Sequence, residues 1–202
     1  MLTPAGALQA FAQARPDEPA RALQALLGGK RALASEAWLI EGSGRQDLLA
    51  QAQEQGWIEC LPRCIEGPDV RLDDFVQHVI ASLSGERCAV LASETGFCLG
   101  RSGMAQNEAE VLSAAAADFS GFAQRQLRRG WAGAGRYVAF HSDPEMLLPE
   151  VSFVPFWVDG VGYWLILRGE PLLNNPALVE LFWGIRDAGS RFSPAGPTGV
   201  TI

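Results

Sequence analysis

From residue 72 onward the apolar positions switch between helical and strand spacing. Leu72, Phe75, Val76, Val79, Ile80 and Leu83 fall at helical spacing, one stripe of an amphipathic helix opened by Asp73-Asp74 and ended by Ser84-Gly85. Arg87 to Ala92 and Phe97 to Gly100 then read as two strands around Glu94-Thr95-Gly96. Asn107 with Glu110 forms a capping-box-like start for a long, alanine-rich helix, Glu108 to Arg129, closed by Gly130. Three strands follow, Arg136 to His141, Val151 to Trp157 and Val161 to Arg168, the last two joined at Asp159-Gly160. Asn174-Asn175-Pro176 supplies a cap and an N-terminal proline for a final helix.

The first third reads differently. Ala7 to Ala14 and Pro19 to Leu27 are helix-like, the second ended by Gly28-Gly29, and a short apolar run covers Ala37-Trp38-Leu39-Ile40. Gln46 to Gln55 is a further helix, with Leu48, Leu49 and Ala52 on one face and Gly56 as its stop. Trp57-Ile58 begins an extended segment. The near-palindrome Ile58-Glu59-Cys60 to Cys64-Ile65-Glu66 is compatible with a hairpin that sets the Cys60 and Cys64 sulfurs opposite each other and allows a labile disulfide, while two partly buried free thiols, packed as small hydrophobes, are the plainer expectation. A helix ending in Gly-Trp-Ile-Glu before such a hairpin resembles a small winged-helix unit. Gly67-Pro68-Asp69 marks the boundary. The expected organisation is a mostly helical unit at 1–66, a main domain at 70–190 and a tail at 191–202.

The strand faces are the most informative feature. In Tyr163 to Leu167 both the odd positions and the even ones are apolar, and in Val151 to Trp157 Phe153 and Trp157 oppose Val154 and Phe156. A sheet with one wet face would alternate apolar and polar side chains, so this one is expected to be dry on both. The expected fold is therefore α+β, three-layered, with a mainly antiparallel five-stranded sheet and helices on both faces. Five strands span about 20 Å while one helix is about 10 Å wide. The single helix Glu108 to Arg129 leaves apolar surface bare on its side, and a second copy of the chain is the economical cover unless residues 1–66 fold back over it.

Composition narrows the function classes. With 48% hydrophobic and 19% charged residues, 22 glycines and 12 prolines in 202 residues, the chain is globular. The formal charge of −7 argues against a nucleic-acid or anionic-membrane binder, and Gln46 to Gln55 carries Asp47 and Glu54 with no base to meet phosphates. The first twenty residues lack a basic start followed by an apolar core, and the apolar stretch Val151 to Leu167 is broken by Pro155, Asp159, Gly160 and Gly162. A cytoplasmic location with reduced thiols is expected.

Leu72 to Ser84, then Cys88-Ala-Val-Leu-Ala-Ser-Glu-Thr-Gly-Phe-Cys-Leu-Gly-Arg-Ser-Gly103, then Glu108 to Gln124 resemble the roadblock family of dynein light chains and its bacterial relatives. In that family a helix leads into an acidic-glycine hairpin and then a small-residue helix. The resemblance covers residues from about 70 to 190, and profilin-like and GAF-like domains share parts of it. It implies a dimer built by pairing the central helix and an edge strand, no catalysis, no cofactor, and a surface that binds a small Ras-like GTPase or a scaffold. A GAF-like sensor enclosing a small ligand near Trp131 to Glu150 is the alternative.

The candidate interface is the stripe Val111, Leu112, Ala115, Phe119 and Phe122, beside Ala114 to Ala117, which permit close helix approach. Arg125, Arg128 and Arg129 complement the negative end of the helix dipole and stand ready for an acidic partner. Catalytic chemistry is not visible. Gly100-Arg-Ser-Gly103 and Gly130-Trp-Ala-Gly-Ala-Gly135 lack the lysine and hydroxyl of a phosphate loop. His141-Ser142-Asp143 are sequence neighbours, which seldom face one another as a triad requires. His78 and His141 are not at ligand spacing from Cys60 and Cys64, so no zinc site is expected.

Overall fold

Proline and a hydroxyl or carboxylate cap start the first two helices. Thr3 Oγ1 accepts the Gly6 N–H at 3.1 Å ahead of α1 (Pro4–Ala10), and Asp17 Oδ1 accepts the Ala20 N–H at 2.9 Å ahead of α2 (Glu18–Ala25). The computed structural model describes residues 1–40, 42, 44–68, 72–131, 133 and 137–192. Within them α3 (Ser35–Ile40) and α4 (Arg45–Glu54) complete the amino-terminal helices. Gly56 ends α4 with a φ of 66°, a conformation that favours glycine. Then come α5 (Leu72–Ala81), β1 (Ala89–Ser93), β2 (Cys98–Ser102), α6 (Gln106–Arg128), β3 (Val138–Phe140), β4 (Val151–Val158), β5 (Val161–Arg168) and α7 (Ala177–Phe192). Asp69, residues 132 and 134–136 of the glycine-rich loop and the tail from 193 lie outside the described residues.

The fold is α+β. Five strands form one sheet in the order β2-β1-β5-β4-β3, every neighbouring pair antiparallel. Both faces are apolar, as the strand pattern requires. Trp164 and Ile166 of β5, Val90 and Ala92 of β1 and Phe153 of β4 are buried on the α6 side. Leu165, Leu167, Leu91, Val154 and Phe156 are buried on the other, beneath Val76, Val79, Ile80 and Leu83 from the α5 segment and Leu178, Leu181, Phe182 and Ile185 of α7.

The amino-terminal helices join that second core and leave the α6 face alone. Phe11 packs on Phe182 with ring centroids 5.0 Å apart, and Phe182 on Phe156 at 4.5 Å; such ring pairs contribute about 0.5–1.5 kcal/mol each beyond the area they bury. Trp183 Nε1 donates to the Gly29 carbonyl at 2.7 Å, the Arg186 guanidinium donates to the Gln24 carbonyl, and the Trp157 N–H to the Phe11 carbonyl at 3.0 Å. Leu2, Leu23, Leu27 and Trp38 are buried in one continuous cluster with the sheet.

Two local expectations are corrected and one run without an assigned element is placed. The segment 58–66 does not fold back on itself as a hairpin: Ile58 bridges to Leu2 and Glu66 to Arg31, because each arm finds a longer-range strand partner. The run Ala37 to Ile40 lies in a helix, α3, with Trp38 buried and its Nε1 bonded to the Ala22 carbonyl at 2.8 Å. The long helix begins at Gln106 with Ala105 as its cap, and Asn107 sits inside the first turn with no capping bond. Gln106 instead accepts from Arg101 Nε at 2.7 Å and donates to Glu110 at 2.8 Å, which ties the helix start to β2.

Candidate functional site

α6 is a helix of 23 residues that packs chiefly against β1, β2 and β5. Ala109, Ser113, Ala116, Ser120 and Ala123 form its buried line, small enough to bring the helix close to the sheet. Gly96, at a φ of 92°, lets the β1–β2 turn approach: a side chain there would meet Ala117 at 3.1 Å. On the sheet's far half Trp164 Nε1 donates to Ser120 Oγ at 2.8 Å in a buried setting, which fixes the helix over β5. The helix is thus anchored off-centre, toward the β2 edge.

The consequence is an open flank between α6 and the edge strand β3. Phe119 fills its base, 4.9 Å from Phe153, 5.8 Å from Phe140 and 6.2 Å from Trp164. Beyond that base the surface is apolar and exposed. Val111 is 69% accessible, Phe122 41%, Trp131 57% and Phe140 49%. Phe122 meets Trp131 edge-on at 6.3 Å, and Val138 and Val151 are half-buried beside Phe119. Large apolar patches on a monomer's surface mark interaction sites, and the contacts of Phe122 with Trp131 and of Phe119 with Phe140 group part of this surface together.

No family model, curated protein or solved structure matches this chain.

The predicted stripe therefore sorts along a single helix flank. Leu112, Ala115 and Phe119 pack partly into the core beneath α6, while Val111 and Phe122 stand outside it. Arg125 and Arg129 are exposed at the helix end, and Arg129 Nη1 reaches Gln126 Oε1 at 3.5 Å. Trp131 and Phe140, absent from the predicted interface, join the patch, while Tyr137 turns to the other face of the sheet, where its hydroxyl lies 3.3 Å from Ser152 Oγ. For Phe140 the signal was available: an aromatic residue on a strand at the sheet's edge has no second neighbour to bury it. Charge is distributed by end. Arg125, Arg128 and Arg129 lie at the Trp131 end, and Asp143, Glu145 and Glu150 follow Phe140 at the other.

Cys60 and Cys64 lie elsewhere, both exposed, in the loop 60–64 of the amino-terminal unit. Burial lowers the pKa of the Met1 ammonium nearby, partly offset by the negative potential of Cys60 and Glu59. Burial, helped by Asp159, raises the pKa of Tyr163, which stacks on Phe156 at 5.3 Å. His141 and Ser142 are exposed after β3, and Asp143 Oδ1 accepts the Leu147 N–H at 3.4 Å. Among the described residues no helix is long and apolar enough to cross a membrane.

Proposed function

We propose that the chain is a non-catalytic adaptor that works as a homodimer, in the manner of the roadblock family it resembles, and that the dimer engages a protein partner such as a small Ras-like GTPase. The observation that carries this reading is the flank between α6 and β3, uncovered among the described residues, where Phe122, Trp131 and Phe140 are exposed beside the open half of the sheet and Val111 is exposed on the outer side of α6. The order α5, β1–β2 hairpin, small-residue α6 and an unpaired edge strand beside that helix supplies the parts the resemblance asks for.

Charge favours a second copy as the cover. A two-fold axis across the flank reverses one copy on the other. The basic end at Arg125, Arg128 and Arg129 then meets the acidic loop with Asp143, Glu145 and Glu150, and the edge strands run antiparallel. A winged-helix role on DNA is less well supported. The single base of α4, Arg45, lies over the Trp38 ring at 4.7 Å and donates to the Ala22 carbonyl at 3.4 Å, while Asp47 and Glu54 remain.

Light scattering on the full chain at tens of micromolar is expected to return twice 21.7 kDa. A strict monomer rejects the dimer and the adaptor built on it.

A further inference from the structure

The amino-terminal unit holds a cavity of about 280 Å³ whose existence follows from how its walls are pinned. Glu59 N–H donates to the Met1 carbonyl at 3.0 Å, which fixes one end of the segment 59–65. Ala32 N–H donates to the Ile65 carbonyl and Gly67 N–H to the Lys30 carbonyl, both at 2.8 Å, which fixes the other. The intervening loop, stiffened by Pro62, bridges the gap and does not collapse into it. Leu26, Trp38 and Ile58, all buried, form the floor, and Cys60, Leu61 and Cys64 form the mouth.

The lining defines the occupant. Three of its polar groups are already engaged: the Met1 ammonium donates to the Glu59 carbonyl at 2.7 Å, Cys64 Sγ to the Ala32 carbonyl at 3.5 Å, and Gln53 Nε2 to Cys60 Sγ at 3.7 Å. Among the described residues the buried side-chain polar atom without a partner is Arg168 Nε, on the other side of the sheet. Glu59 and Arg63 stand in the wall with one charge of each sign. The floor of Leu26, Trp38 and Ile58 is apolar and favours an uncharged group. An apolar cavity of about 150 Å³ accommodates benzene, so one of about 280 Å³ has room for a second fused ring.

We propose that this cavity is a binding site for a neutral, mainly apolar molecule of one or two fused rings, and that its occupant shields the thiols of Cys60 and Cys64. The site is independent of the dimer flank, which lies on the opposite face of the sheet.

The test uses the reduced full chain, indole and 2-naphthol as probes, and iodoacetamide alkylation followed by peptide mass spectrometry. Alkylation of Cys60 and Cys64 is expected to slow by about tenfold at a probe concentration about ten times its Kd. Cys88, just before β1, and Cys98, at the start of β2, are half-buried, serve as internal references and keep their rates. Leu61→Trp blocks the mouth from a residue that is already exposed, and Leu33→Trp fills the interior; each is expected to remove the protection. Unchanged rates at the solubility limit of both probes overturn the proposal. So does equal slowing of all four thiols, or protection that survives both tryptophan variants.

Discussion

Phe122→Asp separates the dimer reading from a merely sticky surface. Phe122 exposes 41% of its surface in one copy, belongs to neither buried cluster, and touches Trp131 at the rim of the open flank. An aromatic side chain offers about 200 Å², so each copy contributes about 80 Å² and a symmetric dimer about 160 Å². At about 25 cal/mol per Å² the burial is worth about 4 kcal/mol per dimer. Every 1.4 kcal/mol is about a tenfold change in affinity, so the variant weakens association by roughly a thousandfold before any charge desolvation is counted. Sedimentation velocity across a concentration series reads this directly: the wild type sediments as a dimer at tens of micromolar, and the variant as a monomer of 21.7 kDa. Circular dichroism should match the wild type, because the substitution leaves both cores intact. A Phe122→Asp chain that dimerises with the wild-type Kd would falsify the assignment of the interface.

Three further outcomes are expected. Ser120→Ala strands the buried Trp164 Nε1 and lowers stability by about 1–3 kcal/mol, read as a shift of the urea midpoint; pairing it with Trp164→Phe should recover part of the loss, and an unchanged midpoint for the single variant argues against the bond. Phe11→Ala opens the ring cluster with Phe182 and Phe156 and costs about 3–5 kcal/mol, with unfolding still in one cooperative step; two separate transitions would show that residues 1–66 do not share the core of the sheet. Tyr163 has its pKa raised above 10.0 by burial and then by Asp159, so the folded chain holds that proton longer than the unfolded chain. The resulting stability is complete below the unfolded value and lost as pH rises through the folded one, so the thermal midpoint falls as pH rises above about 10. Tyr163→Phe should flatten that fall, and an unaltered alkaline slope tells against the shift.

Long periodic segments and strong stops were legible in the sequence, and cooperating long-range partners were not. The α5 stripe, the β1–β2 turn, the alanine-rich α6 and the Asn175 cap are encoded within a few residues; the Asn175 carboxamide oxygen does accept the Ala177 N–H, at 3.0 Å. The palindrome at 58–66 misled because symmetry in residue type carries no information about which partner wins. Leu2 and Arg31, far away in sequence, offered the extended arms better pairing. Ala37 to Ile40 is too short for period to separate strand from helix, and the burial of Trp38 against α2 decides it. The start of α6 shifted because Gln106 gains a bond from Arg101, a contact across the β2 turn that local capping rules do not see.

The apolar strand faces were read correctly as both buried, but their pattern gives no indication of where a covering helix sits. That depends on anchoring. The Trp164–Ser120 bond and the glycine approach at Gly96 draw α6 toward β1, β2 and β5, so its deficit of cover is concentrated at the β4–β3 half and not shared between both edges. The amino-terminal helices, the one other source of cover among the described residues, are held on the opposite face by Phe11, Trp183 and Arg186. Moving them to the open flank would forfeit a continuous aromatic core to cover a smaller patch. Among the described residues the flank therefore has no cover, and in the proposed dimer its opposite charges at the two ends would match a reversed copy better than a surface of uniform sign.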